Sequence, residues 1–138
     1  MYGRFVLASL VAVVSAGLLI LWINDPLPTY ASAKAVPVPD GLVLPGSDSV
    51  LTFISSDSPD KVQTYFNDYF NHHWGWQQQF ANMSCDVSTT KLEPPKFSFT
   101  YTRFGKEVNV HGFTAEEAAA KGFKNVPAGG TAFVIISH

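Results

Sequence analysis

Few side chains in this 138-residue chain could do chemistry: it has four histidines and one cysteine. His72 and His73 are neighbours. On a helix, neighbours point roughly 100° apart, so these two do not converge on one metal. Helical ligand pairs favour the i, i+4 spacing of an HExxH motif. Asp68 and His72 have that spacing and could supply two ligands or an acid–base pair. The simpler expectation is an exposed contact near a helix C-terminus, where histidine suits the dipole. His111 and His138 fall on predicted strands and would meet only if those strands pair suitably. Ser84 and Cys85 lie in a polar stretch without a base or oxyanion hole in view. No GxSxG, P-loop or Rossmann glycine pattern occurs. The expectation is a protein that is not an enzyme, with no catalytic, metal or cofactor-binding residues and no cofactor.

Composition narrows the classes further. A lone Cys85 excludes an internal disulfide, a CxxC redox pair and a CxxCH haem site. It lies too far from the N-terminus to be a lipobox cysteine. Net charge is −2, with 9 basic and 11 acidic residues well mixed. Without a basic patch, nucleic acid is not an expected partner. Asn82, Met83 and Ser84 fit a glycosylation sequon, which matters only in a eukaryotic secretory pathway.

The strongest element signal is the apolar run over residues 5–23, which carries no charge and no proline. As a helix it would span roughly 28 Å, close to the hydrocarbon thickness of a bilayer. Arg4 precedes it and Asn24 and Asp25 follow. The positive-inside rule then puts the N-terminus in the cytoplasm and the rest outside, in the periplasm of a bacterium. Ala31, Ser32 and Ala33 resemble a small-x-small cleavage site, so a cleaved signal peptide is the rival reading. The run is longer than a signal h-region, and the candidate site lies beyond Pro26 and Pro28, which favours retention. Ala8, Ala12 and Ala16 recur every four residues, with Ser15 beside them, as in a close helix-packing face. Leu10, Val14, Leu18 and Leu21 suit lipid, and Trp22 suits the interface. With no ionisable residue, the span is not expected to ligate haem or carry protons.

After residues 1–23 as anchor, residues 24–49 read as a Pro-rich extended linker and 50–138 as one extracytoplasmic domain. Pro26, Pro28, Pro37, Pro39 and Pro45 favour extended structure. Residues 50–55 read as a strand. Ser58, Pro59 and Asp60 then start a helix over 59–73. Val62, Tyr65, Phe66, Tyr69 and Phe70 form its apolar face. Gly75 should stop it in the left-handed region and fold Trp76 back near Phe70. A strand is predicted over 76–81 and a polar loop over 82–95. Residues 97–103 and 107–113 form a hairpin about Gly105. Thr114 and Glu117 make a capping box for a short alanine-rich helix, expected on the surface and ending at Gly122. Residues 131–137 form a last strand. The fold class is α+β, with about five mainly antiparallel strands covered on one face by one amphipathic helix. Phe53, Phe80, Phe97, Phe99, Val108, Val110, Val134 and Ile136 are the inward set.

Several of these residues occur in a familiar arrangement. A Pro-rich lead-in (Val36, Pro37, Val38, Pro39, Asp40, Gly41) precedes Ser55, Ser56, Asp57, Ser58 and Pro59. A helix with Val62, Tyr65 and Phe66 follows, closed by Gly75 and Trp76. A hairpin about Gly105, then Gly130 and Thr131 opening a final β run, complete it. The chain resembles a loose class of small, uncharacterised bacterial secreted or membrane-anchored α+β domains over roughly residues 36–138. The resemblance implies an α+β fold outside the cytoplasm and brings no catalytic residue with it.

Tyr30, Trp74 and Phe123 have no evident core role and are candidate partner contacts. The sequence thus predicts a single-pass accessory subunit in the bacterial inner membrane. Its helix would pack, through Ala8, Ala12, Ser15 and Ala16, in a larger integral membrane complex, respiratory or photosynthetic. The alternative is a tethered or secreted ligand-binding or sensing module.

Overall fold

The computed structural model describes residues 27–40, 42, 49–73, 75–81 and 96–138. The apolar run with Ala8, Ala12, Ser15 and Ala16 lies outside the described residues, as do Trp74, Ser84 and Cys85. Among the described residues, no helix is long and apolar enough to cross a membrane.

The strands are β1 (Lys34–Val36), β2 (Ser49–Ser55), β3 (Gln77–Ala81), β4 (Phe97–Arg103), β5 (Lys106–Thr114) and β6 (Thr131–Ser137). They form one sheet in the order β1-β2-β6-β5-β4-β3, antiparallel throughout. Among the described residues the sheet has six strands where about five were expected, and the one not foreseen is β1. It lies in the stretch read as a linker, so residues 27–36 belong to the domain. Pro37 and Pro39 lack the amide a ladder needs, which holds β1 to three residues at the sheet edge.

Helix α1 (Pro59–His72) covers one face. Its Val62, Phe66 and Phe70 pack with Phe97, Phe99, Tyr101, Val108, Val110, Phe133 and Ile135, all buried. Phe70 stacks on Tyr101 at 4.2 Å. The helix ends at His72 with His73 extended, two residues before Gly75, so the glycine does not cap it as expected. Gly75, at φ 85°, lies in the turn that follows, where the Trp76 amide faces the His73 carbonyl, and Trp76 still meets Phe70 edge-on at 5.0 Å. Gly112 sits opposite Phe97, whose ring fills the space a side chain would take: a Cβ there would lie 2.1 Å from ring atoms.

The other face is covered too, which the alternation did not reveal. Ile54, Phe113, Ala118, Phe123, Ala132, Val134 and Ile136 form a second core under α2 (Ala115–Ala120). Val134 and Ile136 therefore belong to this layer rather than to the layer under α1. The continuous run of β6 is that of a central strand buried on both sides. Thr114 and Glu117 do form the capping box. Helix α2 lies on the surface as expected, with Glu116, Ala119 and Ala120 exposed, but its Ala118 side covers this second core. The Phe123 amide donates to the Ala118 carbonyl and Gly122 to Ala119, with Gly122 at φ 90°. This Schellman turn carries the residue after the glycine back onto the helix. The Phe80 side chain, expected in the core, lies outside the described set.

Candidate functional site

The densest polar site gathers residues far apart in sequence around Asp57, in the turn between β2 and α1. One carboxylate oxygen accepts from the Tyr30 hydroxyl at 2.8 Å and from Ser32 Oγ at 2.7 Å. The other accepts from Lys61 Nζ at 2.7 Å. The Asp57 amide donates to Ser55 Oγ at 3.1 Å, and its carbonyl accepts from Thr131 Oγ1 at 2.7 Å. Ser55 Oγ lies 3.0 Å from Ser32 Oγ, completing a relay into the carboxylate. Asp57 thus ties the lead-in to β2, α1 and β6.

Lys61, then Ser32 and Tyr30, hold the Asp57 carboxyl down at about 2. Burial, and then the neighbouring carboxylate, push the Tyr30 hydroxyl up to about 12. General acid–base work needs groups that titrate near the working pH, and these two are driven away from it. The arrangement holds one segment against another. Around it, the Tyr65 hydroxyl donates to the Thr29 carbonyl at 2.9 Å. Tyr30 packs on Tyr65, Phe66 and Phe133 with ring centroids 4.9 to 6.3 Å apart.

A second polar set lies on the α2 side of β4 and β5. Ser98 Oγ is 3.0 Å from His111 Nδ1, a cross-strand pair buried on both sides. Burial lowers the His111 pKa to about 4, so its ring is neutral near pH 7. Thr100 donates to Asn109 Oδ1, and Asn109 donates to Glu107. Ser98 Oγ is 5% exposed as a residue, too enclosed for a substrate to approach a nucleophile. Two of the bonds in this set are cross-strand, and Glu107 braces Asn109 along β5.

The remaining sequence candidates are placed as follows. Phe123 is a core residue and not a surface anchor, because the Schellman turn drives it inward. Tyr30 is half-buried and committed to Asp57, so it meets the domain itself. His72 and His73 each place Nδ1 2.8 Å from the carbonyl four residues back, those of Asp68 and Tyr69. Asp68 and His72 therefore do not pair through their side chains. His138 pairs with Glu107, four residues along β5 from His111. At about 3.3 Å per residue the two histidines stand roughly 13 Å apart. Among the described residues, no three His, Cys, Asp or Glu side chains converge on a metal position.

Sequence reasoning missed Asp57, reading it only as part of a turn. The signal available was Ser55, Asp57 and Lys61 around a helix start, but Tyr30, Ser32 and Thr131 arrive only through the fold. A groove of about 400 Å³ runs between the lead-in (Val36 to Asp40) and the loop after α2 (Gly122 to Asn125). No family model, no curated protein and no solved structure matches the chain.

Proposed function

We propose that the protein is a non-enzymatic, single-pass accessory subunit of a larger complex in the bacterial inner membrane. Residues 5–23 span the bilayer with the N-terminus cytoplasmic. Ala8, Ala12, Ser15 and Ala16 face a helix of the complex, and the domain covers or bridges its periplasmic face. A respiratory or photosynthetic assembly is the natural host. The observation that carries this reading is the clamp at Asp57. Leu27 already packs on the core, and the apolar run ends at Ile23. A domain joined to its anchor by so short a stretch is presented in one pose, which suits a fixed seat on a complex better than a free tether. Purification of the tagged full chain in mild detergent tests it. Stoichiometric recovery within a larger membrane complex, reduced by Ala12→Phe, is the expected result. Recovery of the chain alone as a monomer contradicts it.

The second reading, a tethered ligand-binding module, draws on the groove beside Val36 and Phe123. Substitution of Asn125 by Trp would block that groove. An unchanged phenotype on that change would remove the reading.

A further inference from the structure

The tip of the β4–β5 hairpin carries a residue at odds with its turn. Arg103 pairs with Lys106, leaving Phe104 and Gly105 as a two-residue loop with φ 49° and 78°. Positive φ at both positions is the type I′ pattern, which favours Asn-Gly and penalises an ordinary side chain at the first position. Phe104 is also 63% exposed. Backbone conformation and solvation both disfavour it, and such conflicts cluster at functional positions.

The location of the tip says what it meets. Ser32 bonds to Asp57 just ahead of α1, and Thr29 is bonded by Tyr65 two turns into it. Followed towards its N-terminus, the lead-in runs antiparallel to α1, towards the helix's C-terminal end. The hairpin tip lies at that same end. Tyr101 stacks on Phe70, and the Arg103 guanidinium sits 4.7 Å over Trp76. From Tyr65 to the end of α1 is roughly 10 Å. The chain from Ile23 to Thr29 can reach up to roughly 20 Å. The end of the apolar run and Phe104 can therefore share one plane.

We propose that the hairpin tip is a second membrane contact, with Phe104 seated in the interface of the bilayer that holds residues 5–23. An exposed Phe ring buries apolar area at the headgroup boundary, and Lys106, two residues on, would meet anionic headgroups there. The inference rests on the membrane-anchored reading above, and the test separates the two.

The full chain, with Cys85→Ser, is placed in vesicles of phosphatidylcholine and phosphatidylglycerol that contain a headgroup-level spin-labelled quencher lipid. An environment-sensitive fluorophore is attached in turn at Gln77→Cys beside the tip, Lys124→Cys as an exposed control and Val14→Cys in the apolar run. The expected result is strong quenching at position 77 and little at 124. Phe104→Asn should clearly weaken the quenching at 77, the lead-in still holding the domain near the bilayer, while leaving or raising the thermal midpoint, since Asn-Gly fits the turn. Quenching at 77 no greater than at 124, with the Val14 label in the bilayer, overturns the tip contact alone and assigns Phe104 to a protein surface. Quenching at 77 left unchanged by Phe104→Asn also overturns it. A Val14 label outside the bilayer overturns the anchored reading itself.

Discussion

At Asp57 a single residue accepts bonds from Tyr30, Ser32, Lys61 and Thr131 and donates one to Ser55. The exposed Lys61 partner contributes little by itself, as surface pairs do. The half-buried Tyr30 hydroxyl and the buried Ser55 and Thr131 hydroxyls give the site its directionality. Tyr30→Phe should destabilise the domain by about 1–2 kcal/mol in chemical denaturation, the worth of a hydrogen bond to a charged group. It should also raise amide exchange over residues 27–36 more than elsewhere. The two shifted groups on the acid side act in the same direction. Asp57 titrates below an unfolded carboxyl, so its contribution is present above the ordinary carboxylate range and lost as pH falls towards 2. His111 binds its proton less readily folded than unfolded, so stability falls as pH drops from about 6.5 to about 4. The loss attributable to His111 is at most roughly 3 kcal/mol. Thermal midpoints measured between pH 7 and pH 4 should decline for the native chain and decline less for His111→Gln, which keeps a partner for Ser98.

At the scale of elements, Gly112 and Phe97 are one unit across the β4–β5 ladder. Gly112→Ala should cost about 1–3 kcal/mol by overpacking, and Phe97→Leu in the same chain should recover part of it. Full additivity of the two changes in denaturant titrations would contradict the contact. The elements that strong periodicity or capping defines were legible in the sequence: α1, the packing of Trp76 on Phe70, the β4–β5 hairpin and the capping box of α2. The rest was hidden for physical reasons. β1 is three residues long between prolines. The second core rests on Ala118 and Ala132, whose small side chains give no amphipathic signal. Phe123 is buried by a Schellman turn, which the sequence marks only by Gly122. The Asp57 site draws on four separate segments, and no local pattern announces it.

At the scale of the whole molecule, the lead-in decides how the domain is presented. A Pro-rich linker would let the domain swing over the membrane. A lead-in pinned by Leu27, Tyr30, Ser32 and β1 would not, because its contacts begin at Leu27, only a few residues past the apolar run, and continue to the sheet. The proposed seat on a membrane complex depends on this fixed pose, and the hairpin tip would add a second point of support. Spin labels at Leu21→Cys and Lys124→Cys, in full-length protein with Cys85→Ser in lipid nanodiscs, report the pose as a distance distribution. A single narrow distribution that broadens on Asp57→Ala is expected. A broad distribution in both proteins would contradict it, leaving a domain that moves freely on a tether.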